Sequence, residues 1–402
     1  MTRNKHTDNI IVALFFPISG FVYASIRPKA SYYRSLLILF FTFIGTAFFF
    51  IGGGDVLRYV EEFQMVAVKR ITLMDYYNSQ PEAHQVDYYT IFMTWMLSRF
   101  TSNPHIFLGI LALVPTVFLA QNVSCVSEKC LDSPRFRFFL FILVITPNII
   151  FLTHRWWTAL QIFLYGMLPY ILYGKSKRLW FCLLSIGVHF SFIFSSILLL
   201  IYAILPKKVI LPYLIVFIAT YFVSTLNFDF ISNIVNQILP TNYAERSVMY
   251  LYKTEGFERG WVSDVSFHLH NFLNLFFGIF IYLRLKIDVK NYDFLRRLLI
   301  ITLIMASFAL LSNKTDWGWR YFDLSNFLFA SLFVIIAANR QMYIKLKALF
   351  MCAYPVFVFF LIMFIHALFA VISPISLLIG NYFTIWFINE DISMLECIKS
   401  IL

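Results

Sequence analysis

Apolar runs long enough to cross a membrane recur along almost the whole chain, and they limit its fold more than any other feature of the sequence. Crossing the hydrocarbon core of a bilayer takes roughly 20 apolar residues. Of the 402 residues, 60% are hydrophobic and only 13% are charged, with a mean hydropathy of +0.76. Because lipid offers no hydrogen-bond partners to an open backbone, runs of this length indicate helices. The sequence predicts an all-α, polytopic membrane protein.

The predicted spans number about 11 to 13 and form a single integral membrane domain, residues 1–402. Their approximate ranges are 9–26, 35–52, 104–123, 138–153, 156–173, 179–205, 209–226, 266–284, 295–312, 321–338 and 348–372, with a short apolar stretch at 375–388. The run 179–205 is longer than one span needs. It predicts either one strongly tilted helix or a broken, re-entrant pair of half-helices that meet near His189.

The basic residues favour the broken pair. More than half of the 32 Lys and Arg residues fall at 27–34, 124–137, 174–178, 207–208, 284–297 and 340–347. Cytoplasmic loops collect Lys and Arg, so all of these segments are expected on one side. The chain must then cross an even number of times between 174–178 and 284–297, which a re-entrant pair at 179–205 allows. This topology predicts two long outer loops, 53–90 and 227–265, and an amphipathic helix from Tyr88 to Phe100 at the outer interface.

Three arginines fall at the outer mouth of the predicted bundle: Arg58, Arg155 and Arg320. A planar guanidinium forms paired, charge-assisted hydrogen bonds with phosphate oxygens. Each arginine could instead extend to the lipid headgroups. Their common depth, and the tryptophans beside Arg155 and Arg320, favour a binding site for phosphate or pyrophosphate.

Two further residues could carry chemistry. Asp55 lies three positions before Arg58, so one helical turn would place both on one face, as a salt bridge or as part of a site. His189 lies in an apolar run, where a packed structural histidine is the simpler interpretation. The predicted helix break beside it favours a cavity, because irregular backbone at membrane depth is tolerated where it lines one. Four tryptophans are most simply interfacial belt residues, with sugar stacking as the alternative: Trp156, Trp157, Trp317 and Trp319.

The net charge of +11 reflects the basic loop clusters. No basic face with interleaved aromatics, phosphate-binding loop or dinucleotide fingerprint accompanies it, so a nucleic-acid partner is not expected. No metal-type spacing of His, Cys, Asp or Glu is present in the spans, so neither a metal nor a cofactor is expected.

Short motifs in the chain resemble those of the EpsG-type polysaccharide polymerases, relatives of the Wzy O-antigen polymerases. They are a Gly-Asp-x-x-Arg-Tyr opening of the first outer loop, an arginine that begins a span ending at Gly-Lys-x-Lys, and a following His-Phe-Ser. The matching residues are Gly54, Asp55, Arg58, Tyr59, Arg155, Gly174, Lys175, Lys177, His189, Phe190 and Ser191. The resemblance is specific over 52–60 and 153–191, and Arg320 is a plausible third anchor.

The resemblance implies a multi-pass enzyme of the bacterial inner membrane. Such an enzyme joins oligosaccharide repeat units carried on undecaprenyl pyrophosphate into an O-antigen, capsule or exopolysaccharide, at the outer face and without a metal. The arginines would hold the pyrophosphate, and His189 or Asp55 would take the acceptor proton. Weaker candidates for the glycan are Tyr59, Trp156, Tyr243, Glu245 and Arg246. Expected partners are the polyprenyl-linked oligosaccharide, membrane lipids, a flippase and a chain-length regulator.

Other functions fit the same pattern less well. An O-antigen ligase would share the donor and the reaction type but use another acceptor. A lipid-linked oligosaccharide flippase would show two halves of matching hydropathy and a charged cavity along its length, and neither is visible in the sequence. A purely structural membrane partner would not need arginines at one depth.

Overall fold

The computed structural model describes residues 2–47, 55–81, 88–145, 154–222, 261–285, 293–312, 318–385 and 392–401. All regular secondary structure in these ranges is helical. The predicted all-α membrane bundle is therefore confirmed.

The helices of the N-terminal half run up to the predicted break. They are α1 Thr2–Phe15, α2 Pro17–Ile26, α3 Tyr33–Thr46, α4 Asp55–Lys69, α5 Leu73–Ser79, α6 Tyr88–Ser98, α7 Pro104–Ser127, α8 Pro134–Ile145, α9 His154–Tyr173 and α10 Trp180–Val188, with a short 3-10 turn at Ser176–Arg178. The helices after the break are α11 Phe192–Ile204, α12 Leu211–Phe222, α13 Trp261–Leu285, α14 Asp293–Leu311, α15 Gly318–Ala338, α16 Arg340–Lys345, α17 Lys347–Val371, α18 Pro374–Leu378 and α19 Met394–Ile401.

Within the described ranges, four helical segments are long and apolar enough to cross a membrane by themselves: Pro104–Ser127, Asp293–Leu311, Arg320–Ala338 and Lys347–Val371. Several other predicted spans are shorter helices or pairs of helices. The predicted first span, 9–26, is divided at Phe16 into α1 and α2. Pro17 lacks an N–H and disfavours helical backbone at the residue before it, so the division follows from the sequence.

The run 179–205 is broken at His189, as predicted. His189 has extended backbone, with φ −148° and ψ 115°, between α10 and α11. The Ser196 hydroxyl donates to the Cys182 carbonyl across 3.2 Å, whereas residues 14 apart in one continuous helix lie about 21 Å apart. The two half-helices therefore fold back on each other, which excludes the single tilted helix.

The start of α10 and the end of α11 lie together at one end of the bundle. The rings of Tyr202 in α11 and Tyr170 in α9 are 6.3 Å apart. The Arg297 guanidinium of α14 lies close to Gly174, in the loop after α9. His189, at the tip of the hairpin, consequently points toward the opposite end, where α9 and α15 begin.

The segment predicted as the first outer loop contains helices α4 and α5, and α6 follows it. Apolar side chains at helical spacing, Val56, Tyr59, Val60 and Phe63, form one buried face of α4. This face packs against α7 and against Met93 and Leu97 of α6. The helix predicted over 88–100 is thus present, and α4 is held so that Arg58 lies beside the start of α9.

Candidate functional site

Arg58 and Arg155 meet at one aromatic ring. The Cζ atoms of Arg58 and Arg155 lie 5.0 and 5.2 Å from the centroid of the Tyr59 ring. The ring face is electron-rich, so it stabilises guanidinium groups that have left water. Arg155 is 8% exposed and Tyr59 is 3% exposed. This arrangement concentrates positive charge at the mouth of the bundle.

A carboxylate also lies close to Arg58. The Nε of Arg58 lies 3.9 Å from Oε1 of Glu62, one turn later in α4. The hydroxyl of Tyr76 in α5 donates to the other Glu62 oxygen across 3.1 Å. Burial, and then the charge of Glu62, raise the pKa of Tyr76 above its usual value, so its hydroxyl stays protonated as a donor. Glu62 therefore links Arg58 to the buried part of α5.

Arg320 meets His189 at the tip of the re-entrant hairpin. The Nη1 of Arg320 lies 3.2 Å from Nε2 of His189. The other ring nitrogen, Nδ1, lies 2.8 Å from the Ser191 hydroxyl. The Tyr321 hydroxyl donates to the Ser191 carbonyl across 2.6 Å. Helix α15 thus contributes Arg320 to the site and, with Tyr321, satisfies the open backbone of the break.

Trp156, in the core, lies between the group formed by Arg58, Tyr59 and Arg155 and the group formed by His189 and Arg320. It follows Arg155 in α9, and its ring lies 5.6 Å from the His189 ring and 5.8 Å from the Tyr321 ring. Trp156 is 1% exposed and Trp157 is also buried. The interpretation of these tryptophans as interfacial belt residues is therefore wrong, because helix packing turns both indoles inward. The rings that cover Trp156 are those of His189, Phe192 and Tyr321.

The outer cluster, defined as Arg58, Tyr59, Arg155, Trp156, His189 and Arg320, thus unites residues that the sequence places far apart. A sequence model of the EpsG family matches residues 31–372. The chain belongs to the EpsG family. This is a family of Wzy-like polysaccharide polymerases. No curated protein matches the chain, and no solved structure matches it.

The part of this EpsG-family chain that matches the family includes the whole outer cluster. Not every predicted site residue can be placed. Asp55 begins α4, but its side chain lies outside the described part of the structure. Tyr243, Glu245 and Arg246 lie outside the described residues altogether.

The structure adds residues that the motifs did not indicate. Glu62 lies beside Arg58 and accepts a hydrogen bond from Tyr76, and Asp323 lies one turn after Arg320 in α15. Asp323 could have been predicted as a site residue from the sequence, because it is an acidic residue inside a predicted span and lies three positions after an arginine. The pairing of Glu62 with Tyr76 gives no such signal, because it depends on how α5 packs.

His154 is a further residue of the EpsG-family site. It is buried, and its ring meets Tyr59 edge-on at 4.6 Å. Within the described residues, neither of its ring nitrogens has a hydrogen-bond partner. In that same part of the chain, no three His, Cys, Asp or Glu side chains are grouped so that they could hold a metal ion.

Proposed function

We propose that this EpsG-family protein joins oligosaccharide repeat units carried on undecaprenyl pyrophosphate into a surface polysaccharide. The reaction takes place at the outer face of the bacterial inner membrane. The observation that supports it best is the meeting of Arg58 and Arg155 at Tyr59, with Arg320 in the same cluster.

The chemistry of a pyrophosphate leaving group fits this cluster. When the bond between the donor sugar and the pyrophosphate breaks, negative charge grows on the phosphate oxygens. Guanidinium groups already in place stabilise that charge more in the transition state than in the ground state, which accelerates the reaction. Arg58, Arg155 and Arg320 supply such groups, and no metal is required for this role.

The position of the cluster supports chemistry at the outer face. It lies at the end of the bundle opposite the loop 174–178 and Arg297, which belong to the basic segments expected in the cytoplasm. A flippase delivers lipid-linked repeat units to the outer face, and a chain-length regulator controls the product; both are proposed partners. The membrane supplies the polyprenyl carrier.

We expect Arg58→Ala and Arg155→Ala each to abolish glycan chain lengthening while leaving the amount of protein unchanged. A hydrogen bond to a charged group contributes about 1.5–3 kcal/mol, so losing one guanidinium should slow the reaction by at least tenfold. The measurement is gel analysis of the surface glycan in a deletion strain that carries each variant. Normal long-chain polymer from either variant would refute the pyrophosphate role.

Arg178→Ala is the matched control. The Arg178 guanidinium also lies over a tyrosine ring, that of Tyr165 at 4.5 Å, but in the segment expected in the cytoplasm. This variant should make polymer of normal length. If it loses chain lengthening as well, the effect of the outer arginines is a general loss of membrane packing.

The deletion strain also separates the related functions. Single-repeat products on the surface indicate a polymerase. Full-length polymer that is not attached to its acceptor indicates a ligase, and lipid-linked units accumulating at the inner face indicate a flippase.

A further inference from the structure

The turn of α15 that carries Arg320 also carries a carboxylate beside the outer cluster. Asp323 is three residues after Arg320, so both lie on one face of the helix. The positive charge of the Arg320 guanidinium acts on the Asp323 carboxylate, which also lies near the Trp156 indole. Among the described residues, neither the buried Oδ2 of Asp323 nor the indole Nε1 has a hydrogen-bond partner within 3.5 Å. An unpartnered carboxylate oxygen near an arginine side chain is a place for a hydrogen-bond donor that a substrate would bring.

His189 is already committed through both of its nitrogens. A guanidinium has only N–H donors, so Nε2 of His189 accepts from Arg320 and carries no proton. Nδ1 then carries the ring proton and donates to the Ser191 hydroxyl. The Ser191 backbone N–H also points at Nδ1, but at 3.4 Å it is the longer contact, and the charge-assisted bond with Arg320 decides the tautomer. His189 holds Arg320 in place and has no lone pair left to take a proton.

Asp323 and His189 also differ in how accessible they are to a substrate. A general base must come within hydrogen-bond reach of the hydroxyl that it deprotonates. His189 is 2% exposed, whereas Asp323 and Arg320 are both partly exposed. Asp323 is therefore more accessible from the mouth of the bundle than His189, although its Oδ2 atom is itself buried.

We propose that Asp323 is the general base of the polymerisation reaction and that His189 is a positioning residue for Arg320. This inference rests on the proposed function. The acceptor hydroxyl oxygen forms a bond to the anomeric carbon of the donor sugar, and its proton goes to the Asp323 carboxylate. The bond between that carbon and the pyrophosphate oxygen breaks, and the leaving pyrophosphate takes the electron pair into the outer cluster.

The test uses the full-length protein, purified, with lipid-linked repeat units extracted from the deletion strain as donor and acceptor. Binding of undecaprenyl pyrophosphate is measured separately. Asp323→Asn should lower kcat by about 100-fold or more, the range of general-base catalysis. It should leave the Kd for undecaprenyl pyrophosphate within about threefold of the wild-type value, because the arginines remain. A kcat within tenfold of wild type, or a loss that comes from weaker binding, overturns the role.

His189→Gln tests the inference independently of how Asp323→Asn folds. The Gln side-chain oxygen can accept from Arg320 as Nε2 does, but it cannot act as a base. It should therefore keep kcat within about tenfold of wild type, whereas a loss of 100-fold or more would make His189 the base. His189→Leu, which cannot accept, should lose activity together with binding of undecaprenyl pyrophosphate.

Two further variants complete the comparison. Asp293→Asn is the matched control, since Asp293 also lies near an arginine, with Arg297 Nε at 3.3 Å, but at the start of α14 and away from the outer cluster. It should keep normal kcat. Loss of kcat in Asp55→Asn with normal kcat in Asp323→Asn would overturn the assignment of the base to Asp323.

If Arg155→Ala abolishes polymer while Asp323→Asn does not, only this inference fails. Normal polymer from Arg155→Ala refutes the proposed function itself.

Discussion

At the scale of single residues, the outer cluster depends on an aromatic ring as much as on its charges. Tyr59 is buried, and both Arg58 and Arg155 lie close to its ring. Two guanidinium groups near each other repel, and the ring face offsets part of that repulsion without neutralising either charge. The ring therefore leaves the charge of Arg155 in place, while Glu62 lies 3.9 Å from Arg58.

Replacing Tyr59 should distinguish its ring from its hydroxyl. Tyr59→Phe keeps the ring and removes the hydroxyl that accepts from Arg58 Nη2 at 3.2 Å. It should bind undecaprenyl pyrophosphate nearly as wild type does. Tyr59→Leu removes the cation–π contacts, worth about 0.5–2 kcal/mol, and should weaken binding by roughly tenfold. Calorimetric titration measures both values, and equal affinities for the Phe and Leu variants would contradict the role of the ring.

At the scale of elements, the re-entrant hairpin is the feature that brings His189 to the outer cluster. Its break contains no proline or glycine, since the residues between α10 and α11 are His189, Phe190 and Ser191. Backbone groups at membrane depth must find partners within the protein. Here the Tyr321 hydroxyl satisfies the Ser191 carbonyl, and the turn is closed by the Phe192 N–H donating to the His189 carbonyl across 3.1 Å.

The hairpin predicts that its two flanking segments face the same side of the membrane. Single cysteines introduced by Lys177→Cys and Lys208→Cys, in a background without the native cysteines, should both react only with a membrane-permeant thiol reagent. Both positions are exposed, as is Arg99 after α6. Arg99→Cys, in the segment expected outside, should react with an impermeant reagent. Labelling of positions 177 and 208 from opposite sides would contradict a re-entrant hairpin.

At the scale of the whole molecule, close helix packing holds the outer cluster on a rigid frame. Helices in lipid gain little from the hydrophobic effect, so small residues that let backbones approach are important. A Cβ added to Gly109 in α7 would lie 2.4 Å from the Thr46 Oγ1 of α3. A Cβ added to Gly45 in α3 would lie 2.3 Å from that of Ala112 in α7. The two helices therefore meet through glycines on both sides.

Overpacking this contact should destabilise the bundle. Gly109→Val forces α3 and α7 apart, at a cost of about 1–3 kcal/mol. Its unfolding temperature in detergent should fall by several degrees, as measured by the exposure of buried cysteines. Gly187→Val is the control, because a Cβ at Gly187, also in a helix, meets nothing within 4 Å. A similar fall in both variants would show that valine in a helix, rather than close packing, causes the loss.

The sequence by itself determined the class of fold, favoured a helical break at His189 and indicated the arginines to test. These follow from local properties: the length of apolar runs, the sidedness of basic loops and the cost of polar groups in lipid. The division of the first predicted span before Pro17 could also be predicted from the sequence, because a proline disfavours helical backbone at the preceding residue. Hydrophobicity alone does not reveal it.

Only the tertiary structure decided how the site is assembled. It placed Arg58 and Arg155 at the ring of Tyr59 and buried Trp156. It also placed Asp323 beside the outer cluster. In the folded structure, Arg320 and the Ser191 hydroxyl contact the two ring nitrogens of His189. These contacts join residues far apart in the chain, so they depend on the way in which whole helices pack. Hydrophobic pattern and charge fix which segments become helices and which ends they share, but side-chain packing between helices fixes which atoms meet.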